Sequence, residues 1–273
     1  MSGTPRCLAI DLDGTLLQPD GEVSERSQAA VKAACAAGIH VVLATARWFQ
    51  LAERTATLLG LRDPVIACSG AEVRRLTDGL DLMDVRVPSA FTDELYGMLD
   101  DAGAIVWVAE EDRVVFRMDG PTPPQLGDEI VKIDALAGEA AAAPRMVMIF
   151  GPEVNARILA DLAPRWSEEV RFLDSIIRGG MSVLTLTGHG ADKGDALRIA
   201  CADLGIDLAD VMAFGDSEAD IEMFRVAGRS VAMGQASDAV KAAATQITDS
   251  NAEDGVAVVI EDLLRKISGD SRS

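Results

Sequence analysis

The sequence predicts an α/β protein, a parallel sheet packed between helices and interrupted by an inserted α+β unit. Three observations lead there. Short apolar runs suited to buried strands alternate with helical segments at both ends of the chain. The joints between them are short, as right-handed strand–helix–strand crossovers require. The middle of the chain breaks that alternation.

In order, Cys7–Ile10 reads as a first strand, and a helix follows from Ser24, its N-cap, to Ala37, stopped by Gly38. Ile39–Ala44 is a second strand, Trp48–Leu59 a helix ended by Gly60, and Pro64–Cys68 a third strand. Residues 84–183 are the expected insert. Within it, Val106–Val108, Val114–Met118 and Met146–Phe150 read as strands, and Phe91–Ala102 and Val154–Trp166 as helices, with turn clusters at Asp119–Pro124 and Ala143-Pro144. The alternation then resumes: a helix capped by Asp192 and running to Leu204, a strand at Val211–Phe214, a helix at Ser217–Val226, a strand at Arg229–Met233 and a last helix at Glu253–Ile267. Ser268–Ser273 reads as a frayed tail. The domains expected are therefore 1–83 with 184–273, and 84–183.

Composition narrows the function. The 273 residues carry a formal net charge of -19, which argues against binding a nucleic-acid backbone or an anionic membrane surface. Aromatics make up only 4%, so the core must be built from Ala, Val, Leu and Ile. Cys7, Cys35, Cys68 and Cys201 form no CxxC pair and only His40 and His189 could assist them, which reads as reduced thiols in a cytoplasmic protein rather than a zinc site. Met1–Cys7 lacks the basic and apolar regions of a signal peptide, and no apolar stretch reaches the roughly 20 residues of a membrane span. Neither GxGxxG nor GxxxxGK[ST] occurs.

The chemistry-bearing residues all fall where a strand gives way to a loop or helix, the edge at which open α/β sheets hold ligands. Asp11-Leu12-Asp13-Gly14-Thr15-Leu16-Leu17 follows the first strand. Two acids crowded there repel each other and call for a cation, although a turn cap would also use them. Gly215-Asp216-Ser217-Glu218-Ala219-Asp220 follows another buried strand, and a hard cation such as Mg²⁺ suits its two carboxylates, which as helix-start acids would otherwise serve the macrodipole. Thr45 and Lys193, at two further junctions, offer a hydroxyl and an ammonium to phosphate oxygens.

Together these segments resemble the haloacid dehalogenase superfamily, and within it the Cof-type (subfamily IIB) sugar-phosphate phosphatases. Asp11–Leu17 resembles the first motif, Ala44-Thr45-Ala46-Arg47 the second, Lys193-Gly194-Asp195-Ala196-Leu197 the third and Gly215–Asp220 the fourth; Val231-Ala232-Met233-Gly234 and Glu253-Asp254-Gly255-Val256 fit the branch's C-terminal run. The resemblance implies a Rossmann-like core with a type C2 cap lying over the active site. It also implies a cytoplasmic Mg²⁺-dependent phosphatase acting on small phosphorylated metabolites, sugar phosphates by the branch's habit, through an aspartyl-phosphate. Asp11 would be the nucleophile, Asp13 the general acid and base, and Thr45, Lys193 and Arg47 the phosphate and substrate ligands. The metal would be held by Asp11, the Asp13 carbonyl and Asp216, with Asp220 in support.

Four positions depart from the branch: Ala219 and Gln235 stand where Asn is usual, Ser69 where Asn often precedes Gly70, and Ala46 where Gly is usual. These departures bear on turnover rate and substrate preference, and Ala219 is the one sequence feature that favours a catalytically weakened ligand-binding protein. The other alternative is a phosphomutase or phosphotransferase, which would keep Asp11 and Asp13 but pass phosphate to a sugar. Trp107, Arg113, Arg117 and Arg178 are candidates for specificity in the cap.

Overall fold

The computed structural model describes residues 3–120, 127, 129–177 and 180–270. Strand β1 (Cys7–Ile10) leads to helix α1 (Glu25–Ala36), whose N-cap Ser24 accepts the Ser27 N–H. Strand β2 (His40–Ala44), helix α2 (Phe49–Leu59) and strand β3 (Val65–Ala67) follow, with Gly60 left-handed at the end of α2. Two strands come next that the sequence did not announce, β4 (Glu72–Arg74) and β5 (Asp81–Asp84). They carry too few apolar residues to signal a strand.

The chain then builds α3 (Ser89–Ala102), β6 (Ile105–Ala109), β7 (Val114–Arg117), β8 (Ile130–Lys132), β9 (Met146–Phe150), α4 (Pro152–Asp161), the short α5 (Ala163–Trp166), β10 (Val170–Ile177) and β11 (Met181–Gly188). The expected helix Val154–Trp166 is thus two, with the break at Leu162; Pro164, which has no N–H to continue the ladder of α4, falls in the first turn of α5. The turn cluster at 119–124 and Arg178 lie wholly or partly outside the described residues.

The last third holds α6 (Lys193–Leu204), β12 (Val211–Gly215), α7 (Ile221–Val226), β13 (Arg229–Ala232), α8 (Asp238–Ala243), β14 (Gln246–Ile247) and α9 (Gly255–Asp270). A 3₁₀ turn at Glu218–Asp220 replaces the start of the helix expected from Ser217. Ser268–Asp270, expected to fray, continue α9.

These elements form two compact units, 1–83 with 192–273, and 84–191. The sequence boundary at 183/184 is therefore corrected to 191/192. Strand β11 is hydrogen-bonded along its length to β10 and, over Val183–Thr187, to β9, so the chain stays in the second unit until that ladder is complete.

In the first unit an eight-stranded sheet runs β14-β13-β12-β1-β2-β3-β4-β5. It is parallel from β14 to β3 and reverses at β4. One face packs Cys7, Ala9, Val42, Ala44 and Ala213 against Ala196, Leu197, Ala200 and Cys201 of α6 and Met223 and Phe224 of α7. Small side chains on α6 let helix and sheet approach closely, as the scarcity of aromatics requires. Cys7, Cys68 and Cys201 are buried free thiols, whereas Cys35 is exposed.

The second unit is a six-stranded sheet, β10-β11-β9-β6-β7-β8, antiparallel except between β7 and β8. Val106, Val108, Val147, Ile149, Leu184 and Leu186 on one face meet Phe91, Leu95 and Leu99 of α3 and Ile158 of α4. Phe91 is fully buried and meets Trp166 and Phe172 edge-on, with centroids 5.4 and 5.8 Å away. Phe91→Ala should accordingly destabilise this unit by about 3–5 kcal/mol in urea unfolding. Arg145, also fully buried, donates to Asp84 at 2.8 Å and to the Glu111 carbonyl at 2.7 Å, tying the β6–β7 turn to the start of the unit. No helix among the described residues is long and apolar enough to cross a membrane.

Candidate active site

Strands β1 and β12 pair directly and in parallel, so the loops that follow them emerge side by side. This places Asp11 beside Asp216 and Asp220, one oxygen from each carboxylate lying within 4.8 Å of the others. Gly14 makes the closeness possible. Its φ is +79°, and a Cβ there would fall 2.1 Å from Asp216 Oδ2.

Lys193 enters from the first turn of α6 and is 2% exposed. Its Nζ donates to Asp11 Oδ1 and Asp220 Oδ1, each at 2.7 Å. The approach of α6 depends on Gly70 (φ +93°), where a Cβ would lie 2.4 Å from the Asp192 carbonyl carbon. Asp192 itself caps α6 by accepting the Asp195 N–H at 2.7 Å.

One ammonium among three carboxylates leaves the cluster two negative charges in excess. Burial, then the charge of Asp220, pushes Asp216 up to about 6. Burial and the charge of Asp220 likewise raise Asp11 well above the ordinary carboxylate range, against the pull of Lys193. Lys193 stays protonated because Asp11 and Asp220 outweigh its own desolvation. Oxygen donors with a charge deficit of this size fit a hard divalent cation such as Mg²⁺.

The carboxylates differ in what they have left to offer. Both oxygens of Asp220 are engaged: Oδ1 with Lys193, and Oδ2 with the N–H groups of Asp216 and Ser217 and the Ser217 hydroxyl at 2.9–3.1 Å. Asp220 thus orients the loop and the ammonium, while Asp11 and Asp216 retain lone pairs for a ligand. The Asp13 carboxylate stands outside this cluster. It lies in the fork of Arg47, Nε to Oδ2 at 2.7 Å and Nη2 to Oδ1 at 2.6 Å. Arg47, expected among the substrate ligands, is here the partner of Asp13.

Thr45 is fully buried at the end of β2, its hydroxyl accepting the Arg47 N–H at 3.0 Å and its carbonyl the Ser69 N–H. Ser69 has φ +57°, a conformation that Asn, common there in the branch, enters more readily. Sequence reasoning missed Ser217, although a Ser three residues before Asp220 is a capping-box spacing. It noted Gln235 only as a departure, yet Gln235 Nε2 reaches the Gly14 carbonyl at 2.5 Å. Of the specificity candidates, Arg113 pairs with Glu110, Arg117 donates to the Ala104 carbonyl and Trp107 stacks on Phe116 with centroids 5.0 Å apart.

Asp216 sets a pH dependence. With its folded pKa raised to about 6, the metal-free protein holds a proton that the unfolded chain has already released. This contribution is favourable at low pH and is lost as pH climbs through 6. In chelator, the melting temperature of wild type relative to Asp216→Asn should therefore fall between pH 5 and 7, as differential scanning calorimetry would read.

A family model described as haloacid dehalogenase-like hydrolase matches residues 8–260. The chain is similar to the 5-amino-6-(5-phospho-D-ribitylamino)uracil phosphatase YwtE of Bacillus subtilis, at 30% identity over 286 residues, covering 95% of this chain and 98% of that one. It is also similar to the pyridoxal phosphate phosphatase YbhA of Escherichia coli, 27% identical over 282 residues and covering 94% and 98%. A solved haloacid dehalogenase-like hydrolase from Bacteroides thetaiotaomicron shares the fold with a TM-score of 0.84 at 24% identity, over 95% of this chain and 100% of its own.

Proposed function

This chain belongs to the haloacid dehalogenase-like hydrolases, in their Cof-type branch, and is a phosphoric monoester hydrolase; from that premise we propose that it cleaves small phosphorylated metabolites, sugar phosphates among them, through a phosphorylated Asp11 with Mg²⁺ as cofactor. The observation that carries the reading is the buried cluster of Asp11, Asp216 and Asp220 around Lys193 at the end of β1.

In the first step a carboxylate oxygen of Asp11 attacks phosphorus, and the ester oxygen leaves with a proton from Asp13. In the second, the Asp13 carboxylate takes a proton from water, the resulting oxygen bonds to phosphorus, and the acyl-phosphate bond breaks to return Asp11 and free phosphate. Arg47 holds the Asp13 carboxylate in its fork, and an incoming phosphate that competes for that guanidinium frees Asp13 to face the leaving oxygen. Lys193 and Thr45 meet the phosphoryl oxygens, where charge and positioning do most of the work of phosphoryl transfer. Asp11 and Asp216 would hold the Mg²⁺, which when bound offsets the repulsion between an anionic nucleophile and an anionic substrate.

The named relatives support a small phosphorylated substrate, since one acts on a ribitylaminouracil phosphate and another on pyridoxal phosphate. The test is phosphate release from a panel of sugar, ribityl and pyridoxal phosphates, with Mg²⁺ and with chelator. Release that stops in chelator and returns with Mg²⁺ is expected. Phosphate passing to an added sugar faster than to water would mark a phosphotransferase, and no release from folded protein that still binds Mg²⁺ would mark a binding protein.

A further inference from the structure

The loop that follows β1 is held from outside by side chains of the chain's last forty residues. Gln235 Nε2 donates to the Gly14 carbonyl at 2.5 Å and lies 3.5 Å from Asp216 Oδ2. Its Oε1 accepts the Asn251 N–H at 3.1 Å. Two N–H donors and one carbonyl are what a primary amide has to give, and all are directed at these partners. Asn251 in turn donates from Nδ2 to the Leu17 carbonyl at 2.8 Å, and Gln18 donates to Asp254 at 3.0 Å. Asp254 takes a left-handed conformation (φ +59°) that ends the short turn starting at Asn251. The Glu253-Asp254-Gly255 segment, singled out in the sequence without a role, thus braces the loop that carries Asp13.

Gln235 is exposed, so burial does not impose these bonds. Its carboxamide meets the two halves of the acidic site together: the main chain next to Asp13, and the carboxylate of Asp216. Those halves already touch, because Gly14 leaves no room for a side chain against Asp216. Thr15 approaches the other Asp216 oxygen, with its hydroxyl 3.5 Å from Oδ1.

The geometry points to Gln235 as a positioning residue for the divalent cation: it fixes the Asp216 carboxylate against the Gly14 carbonyl so that the acidic pair is set before the ion arrives. The inference rests on the Mg²⁺ reading above. Outer partners that orient a ligand carboxylate are worth roughly 10–100-fold in metal affinity. A residue that only braced the fold would change stability and leave affinity alone.

Gln235→Met keeps the side chain's length and removes its hydrogen bonds; Gln235→Ala removes both. Mg²⁺ is titrated by calorimetry in the absence of substrate, with Asp216→Asn as reference. Binding about 10–100-fold weaker in both Gln235 variants is expected, with melting temperatures in chelator close to wild type. At saturating Mg²⁺, KM should match wild type and the lost kcat should return. Wild-type Mg²⁺ affinity in Gln235→Met, with or without a lower melting temperature, overturns the assignment. If Asp216→Asn also binds Mg²⁺ like wild type, the metal reading itself falls, so the two failures are distinguishable.

Discussion

Asp11→Asn should abolish phosphate release, by about four orders of magnitude or more, while leaving the folded protein as stable as before or more so. Four orders correspond to about 5.4 kcal/mol of transition-state stabilisation. The change is nearly isosteric, and the Asn carbonyl can still accept from Lys193, which keeps its bond to Asp220. What disappears is the anionic oxygen that forms the bond to phosphorus. The stability effect has the opposite sign because Asp11 is buried beside Asp216 and Asp220, whose charges raise its proton affinity. Removing one of three crowded carboxylates relieves that repulsion. The expected pair of results is therefore a silent enzyme with an unchanged or higher melting temperature in chelator. A variant that kept a hundredth of the activity would show that Asp11 is not the nucleophile.

Lys193→Met should cost about 3–5 kcal/mol, the range for breaking a buried charge pair by removing one partner. The residue is 2% exposed, and its ammonium is directly bonded to both Asp11 and Asp220. With Met there, three carboxylates face one another, and the fold recovers only by protonating them. Urea unfolding should show the loss at pH 7.5 and a large part of it regained at pH 5.5, the direction set by acids whose folded proton affinity is raised. Equal losses at the two pH values would mean that Met fails by packing rather than by charge.

Much of the first unit is legible in the sequence because its strands are short, apolar on both faces and followed at once by acids or Thr. Cys7–Ile10 and Val211–Gly215 are buried at every position. The second unit was harder. Strand β10 reads Val-Arg-Phe-Leu-Asp-Ser-Ile-Ile and β11 Met-Ser-Val-Leu-Thr-Leu-Thr-Gly, each interrupted by polar residues at no regular period of two. Only their pairing with each other and with β9 makes them strands. Helix α8 and strand β14 are six and two residues long, too short to show a period.

The site divides in the same way. Asp11, Asp13, Thr45, Lys193, Asp216 and Asp220 stand at strand or helix ends, where position alone suggests a role. Their division of labour was not legible, because it depends on partners distant in the chain. Arg47 pairs with a residue 34 positions away, and Gln235 with one 221 positions away. The two oxygens of Asp220 are consumed by local hydrogen bonds that the spacing Asp216–Asp220 does not reveal.

The margins of the eight-stranded sheet bear on how the protein behaves when concentrated. An open sheet ends in rows of amide and carbonyl groups that could template the strand of another molecule. Here one margin, β14, is two residues long and offers almost no ladder to extend. The other, β5, carries Asp81 and Asp84 within its four residues, and its neighbour β4 reverses the parallel order. A second copy carrying the same net charge of -19 would have to bring its own acids against that margin. The first unit is thus guarded at both ends against strand exchange and fibrous aggregation.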